Sequence, residues 1–272
     1  MTAHPSPYAP LPLAVTVVPV LAAGVLFWGR GRALRREGVS LPGRCALLFG
    51  AGIAVALTGG VGLAHAARIS LTYHELRLLC LGEAAAIPLA LGITWLPKGR
   101  GWRALRRRLT GPVAPALWLV NLFLWHLPAA LEAGLHHPTL EAVESLCYLA
   151  AGVNLYLALF AAPANPGASP ELGRFAQTVA ARGGGIVLAN LLLWASHVTY
   201  PYFIHPDIRR QTSPLVDENV AGAVLFFVQL LALLAVGTWT YGRVSRRGRA
   251  VAQRRTAAPQ AARSAERVSG RS

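Results

Sequence analysis

Seven apolar runs, each long enough to cross a hydrocarbon layer as one helix, divide this chain and leave little room for any other architecture. They fall at Leu11–Trp28, Cys45–Ala66, Arg77–Leu96, Val113–Leu135, Ala142–Ala162, Gly183–Tyr200 and Asn219–Tyr241. Inside a bilayer no water is available to bond a free N–H or C=O, so a run of roughly 17–25 apolar residues crosses as an α-helix. Only 14% of the residues are charged, against about a quarter in a soluble domain, and those charges gather between the runs. The chain reads as an all-α polytopic membrane protein, a bundle of seven transmembrane helices.

The basic loops orient that bundle. GRGRALRREG separates the first two runs, PKGRGWRALRRRLTGP separates the third and fourth, and an Arg-rich stretch follows the seventh. Positive charge in short loops marks the cytoplasmic side, so the N-terminus is expected outside and the C-terminus in the cytoplasm. Of 26 Lys and Arg residues, only Arg68, Arg77, Arg209 and Arg210 then fall on the outer side. Residues 1–242 form the expected membrane domain. Residues 243–272, polar and with no apolar face to bury, are expected to be a disordered cytoplasmic tail.

The formal net charge of +15 thus predicts attraction to anionic lipid headgroups on the cytoplasmic side. No nucleic-acid-binding module accompanies it. The opening MTAHPSPYAP lacks the basic start of a secretory signal, so the first run is expected to remain as a span. Cys45, Cys80 and Cys147 all lie within apolar runs, where free thiols are expected rather than a disulfide framework.

With this orientation all eight histidines lie at or near the outer face. The densest polar stretch is LWHLPAALEAGLHHPTLEAVESL, Leu124–Leu146. His126 precedes Pro128, which must kink or break a helix; the imidazole either satisfies a carbonyl near that kink or ligates a metal. Glu141, Glu144, Ser145 and Tyr148 share one helix face by their spacing of three and four, with the helix dipole a sufficient reason for Glu141. His136 and His137 occupy the intervening loop. Asp217 and Glu218 open the last run.

On the third run His74, Arg77, Cys80 and Glu83 step inward. Glu83 lies roughly 13 Å beyond His74 at 1.5 Å per residue. A carboxyl at that depth should pair with a cation inside the bundle or stay protonated. Asn121, Asn154 and Asn190 fall deeper in the runs and are expected to bond between helices. No phosphate-cradling Gly-rich loop, HExxH helix, CxxC pair or nucleophile elbow is present in the sequence.

The ordered set of motifs resembles the seven-span CtaG family of cytochrome c oxidase assembly factors. The run Trp125–Gly152, WHLPAALEAGLHHPTLEAVESLCYLAAG, is similar to the family's WHxP followed by HxxEH. TSPLVDENVAGAVLFF, Thr212–Phe227, is similar to its SPxxDQxxAG. YHELRLLCLG, Tyr73–Gly82, lines up with its HMxQH. His126 keeps the histidine of WHxP, Glu144 the glutamate of HxxEH and His74 the first histidine of HMxQH. Glu141 and Ser145 stand where HxxEH has imidazoles; Glu75, Arg77 and Leu78 replace the rest of HMxQH, and Asp217-Glu218 replaces DQ.

The resemblance implies a non-enzymatic factor in a bacterial plasma membrane. Its partners would be cytochrome c oxidase subunits, and it would aid maturation at the outer face, with copper as the implied metal. The nearest metal ligands would be His74, His126, Glu144, Cys80 and Cys147, since Cu(I) favours thiolate and imidazole. Two other classes fit the residues less fully. A transporter-like bundle would use Glu83 and the Asn residues as a polar path. A haem-linked redox protein would need histidines facing each other inside the bundle.

Overall fold

The computed structural model describes residues 11–36, 38, 43–94, 112–160, 170–204 and 212–269. Helix is the regular structure throughout those residues, and no strand occurs among them. The elements are α1 (Leu11–Arg36), α2 (Gly43–Gly62), α3 (Ala64–Ala67), α4 (Leu71–Leu79), a π-helical turn (Cys80–Ala85), α5 (Ala86–Thr94), α6 (Val113–Trp125), α7 (Pro128–His136), α8 (Pro138–Phe160), α9 (Pro170–Leu193) and α10 (Pro214–Ser269). A 3-10 turn occupies Pro201–Ile204 between the last two.

Among the described residues, five helices are long and apolar enough to cross a membrane: Gly43–Gly62, Leu71–Thr94, Pro138–Phe160, Gly173–Leu193 and Pro214–Arg246. Val113–Trp125 and Pro128–His136 make a sixth if the bent pair is taken together. The first expected span lies on α1. His4, His205, Asp207, Arg209, Arg210 and most of the loop between the third and fourth runs lie outside the described residues.

Several expected boundaries move, each for a local reason. The third helix begins at Leu71 rather than Arg77 because Ser70 caps it: the Ser70 backbone is extended and its side chain accepts from Tyr73 N. The fourth run is not one helix. α6 ends at Trp125, and the chain restarts at Pro128 after a 71° bend. Proline has no N–H to offer the preceding turn but suits the first turn of a new helix. The sixth helix runs Pro170–Leu193, not Gly183–Tyr200, so Arg182 sits mid-helix instead of in a basic loop. The last helix continues to Ser269, in a stretch rich in Ala and Arg, both strong helix formers.

Close backbone approach sets the packing. A Cβ on Gly152 of α8 would strike the carbonyl oxygen of Gly82 in the π turn, and one on Gly222 of α10 would strike the backbone of Leu193. Around these contacts Leu78, Leu81, Trp118, Tyr148, Leu155, Leu188 and Leu225 form the main core, with Trp118 edge-on to Tyr148 at 6.1 Å.

Gly152→Val should therefore lower stability by about 1–3 kcal/mol, the usual range for overpacking. Gly50→Ala, which meets nothing within 4 Å, should leave stability unchanged or raise it. Thermal unfolding of the two variants in one detergent checks the contrast.

Candidate functional site

Asp217 fixes the start of the third helix. Its Oδ2 accepts from Leu71 N at 2.6 Å, and its Oδ1 accepts from Ser70 Oγ at 2.7 Å, Thr72 N at 3.3 Å and Thr72 Oγ1 at 2.7 Å. Leu71 N and Thr72 N are among the backbone donors that every helix N-terminus leaves unpaired. Glu218 accepts from Thr199 N at 2.9 Å. Asn219 Nδ2 donates to Leu192 O at 3.0 Å and Ala195 O at 3.3 Å, closing the end of α9. Asp217 and Glu218 are thus positioning residues that join α10 to its neighbours.

With its start held, the third helix presents His74, Glu75 and Arg77 inward, all buried. Arg77 donates from Nε to Gly60 O at 3.0 Å, from Nη1 to Glu141 Oε1 at 2.5 Å and from Nη2 to Ser145 Oγ at 2.8 Å. Arg68 reaches the other oxygen of the same carboxylate, Glu141 Oε2, at 2.5 Å. Arg68 and Arg77, two of the four basic residues expected on the outer side, therefore share one counterion.

Beside them stand two imidazole–carboxylate pairs. His74 Nε2 lies 3.2 Å from Glu144 Oε1, and His126 Nε2 lies 2.7 Å from Glu75 Oε1. His126 Nδ1 lies 2.7 Å from Leu122 O. A carbonyl only accepts, so Nδ1 carries hydrogen; the proton between Nε2 and Glu75 then belongs to the pair, whichever atom holds it. Tyr148 OH is 3.2 Å from His126 Nδ1, and Tyr200 OH donates to His126 O at 3.0 Å. His126 thus bonds back onto its own helix at the break while also gripping the third helix.

Glu83 belongs to a second cluster, deeper in the bundle. It takes the pairing alternative: Arg182 of α9 donates to both its oxygens, from Nη1 to Oε1 and from Nη2 to Oε2, the latter at 3.0 Å. Tyr156 OH of α8 donates to Glu83 Oε2. Arg182 also donates to Tyr156 OH at 2.8 Å and to Gln229 Oε1 at 3.0 Å. The guanidinium lies over the rings of Trp118 and Tyr156 at 5.6 and 5.5 Å, a placement that stabilises a desolvated cation.

The other sequence candidates disperse. Cys80 packs on α2, where a Cβ on Gly59 would stand 3.3 Å from its Sγ. Cys147 is half-buried. His136 and His137 are exposed on either side of the α7–α8 junction, with the His136 ring edge-on to Tyr202 at 5.2 Å. Asn190 does not bond between helices: Nδ2 donates to Ile186 O in its own helix at 2.8 Å, and its Oδ1 accepts from Trp194 Nε1.

A resident copper centre does not fit these residues. Each imidazole already faces a carboxylate. Among the described residues no three His, Cys, Asp or Glu side chains are grouped to hold a metal. His74 Nδ1 and Glu144 Oε2 are buried polar atoms with no partner among the described residues, and no third His, Cys, Asp or Glu is grouped with them.

Glu75, Tyr156, Arg182 and Gln229 are contributors that reading by motif missed. Glu75 stands beside a candidate histidine and invited no separate notice. Arg182 was masked by its adjacent glycines, although a mid-membrane acid such as Glu83 implies a basic partner on another helix.

Removing one member of a buried ion pair leaves the other charge uncompensated. Glu83→Gln should destabilise the protein by about 3–5 kcal/mol. Glu83→Gln with Arg182→Met should recover most of that loss. Denaturant unfolding of both variants in detergent micelles checks the pair.

No curated protein and no solved structure matches the chain. A family model described as cytochrome c oxidase caa3 assembly factor matches residues 19–247, from within α1 to the far part of α10. Since that match covers most of the 272 residues, the chain belongs to the family of cytochrome c oxidase caa3 assembly factors.

Proposed function

We propose that this protein promotes maturation of a cytochrome c oxidase in a bacterial plasma membrane, working from the outer end of a seven-span bundle whose N-terminus is outside. The family match over residues 19–247 carries the reading. The basic loops support the orientation, because under it only Arg68, Arg77, Arg209 and Arg210 of the 26 basic residues fall on the outer side. The cytoplasmic basic segments would meet anionic headgroups.

The outer end holds the chemistry this role needs: two imidazole–carboxylate pairs and an Arg–Glu–Arg triad, carried on helices or, for Arg68 and His126, on the residue that ends one. Such a cluster holds a defined polar surface against an apolar surround and can exchange hydrogen bonds with an incoming oxidase segment. Copper enters the reading as cargo. His74 and Glu144, each with a buried polar atom left without a partner, are the residues it would meet. A transporter-like role is not favoured, since Arg182 and Tyr156 occupy the Glu83 carboxylate.

Deleting the gene should lower the amount of assembled oxidase and its copper content, and a plasmid copy should restore both. A His126→Ala, Glu144→Ala copy should fail to restore them. Oxidase spectra and metal analysis of washed membranes read the outcome; normal oxidase in the deletion strain would overturn the proposal. If added copper rescues the deletion strain, the role is metal delivery. Failure of copper rescue with assembly still dependent on the protein assigns it to chaperoning the oxidase subunits.

A further inference from the structure

The break in the fourth apolar run leaves a nine-residue helix, α7, suspended between two extended residues. Leu127 has φ −63° and ψ 131°, and His137 has φ −116° and ψ 108°. A rigid helix with a non-helical residue at each end has the geometry of a hinged element, because hinge motion is absorbed at a few element-terminal positions.

The inner face of α7 does not enter the main core. Leu131 and Leu135 pack instead into a small separate cluster with Leu71, Leu192, Tyr200, Phe203 and Ala221. Between them Gly134 faces the polar pairs: a Cβ built there would stand 3.9 Å from Glu144 Oε2 and meet nothing else within 4 Å. Glu144 Oε2 is a buried carboxylate oxygen with no hydrogen-bond partner among the described residues. α7 therefore lies over the carboxylate side of the His74–Glu144 pair, beside an oxygen that no other group satisfies.

On its other side α7 meets the 3-10 turn. Glu132 Oε1 accepts from Tyr202 N at 3.2 Å. The His136 ring meets Tyr202 edge-on at 5.2 Å. A segment with a small core of its own and a handful of latching contacts sits at the low-stability end of a fold, where local opening precedes global unfolding.

We infer that α7 is a hinged cover over the His74–Glu144 pair. Swinging about Leu127 and His137, it lifts Leu131 and Leu135 from their cluster and admits the outer aqueous phase to Glu144. The inference rests on the proposed outer placement of this end and deepens the proposed role: the cover would decide when the polar pair meets an oxidase segment or its metal.

A cysteine at Gly134 reports the motion, since it is hidden when α7 is down. In a background with Cys45, Cys80 and Cys147 changed to Ala, Gly134→Cys should react with a membrane-impermeant maleimide more slowly than the exposed His136→Cys. Cutting the latches with Glu132→Ala and Tyr202→Ala should speed that reaction about tenfold, the scale of one or two ordinary hydrogen bonds, without changing the His136→Cys rate.

Gly134→Cys reacting as fast as His136→Cys in the parent would overturn the cover, as would no change on cutting the latches. Oxidase content measured in the same strains separates the two ideas. Normal oxidase in a deletion strain removes the assembly role and leaves the labelling result standing; unchanged labelling with assembly still dependent on the protein removes the cover alone.

Discussion

The contact between Glu83 and Arg182 is the one on which the bundle depends most. It lies where no solvent can share the charge, and burying either ion alone would be prohibitive. Its members come from the π turn and α9, and Tyr156 of α8 and Gln229 of α10 complete the set. Four helices are therefore registered against one another by a single polar knot, while the glycines at 82, 152 and 222 let their backbones close around it. Apolar packing between helices in lipid is weakly directional. The knot supplies the direction.

The same logic, shifted to the end of the bundle that carries α7, explains the family positions at which this chain departs from the motif. The resemblance has imidazoles where Glu141 and Ser145 stand, and Arg77 replaces a third motif residue. In the structure these three touch: Arg77 bonds Glu141 at 2.5 Å and Ser145 at 2.8 Å. Glu75, another departure, grips the retained His126. The substitutions are mutually consistent, with a fixed guanidinium supplying positive charge among the acids.

The helical membrane class was legible in the sequence because long apolar runs admit few alternatives in lipid. The family was legible from WHxP and the spaced residues after it. Helix ends were less so. The seven-residue difference at the end of the sixth helix depends on Asn219, a residue from another helix that caps it. The start at Leu71 depends on Asp217, distant by 146 residues. Pro128 announced a disturbance, but whether it bends a helix or ends one is decided by what His126 and Tyr200 find to bond. Arg182 was assigned to a loop by its neighbours Gly183–Gly185, since a charge beside glycines resembles a boundary until a buried carboxylate claims it.

The π turn at Cys80–Ala85 gives the third helix a double phase. A π turn carries one residue more than the α-helical turn it replaces, and each α-helical residue advances about 100° around the axis. The face that presents His74 and Arg77 and the face that presents Glu83 therefore do not follow one continuous periodicity. A hydrophobic stripe traced over the whole of Leu71–Thr94 at 3.6 residues per turn would fit one half and drift off the other. The inserted residue lets one helix serve two polar clusters, each addressed from its own side.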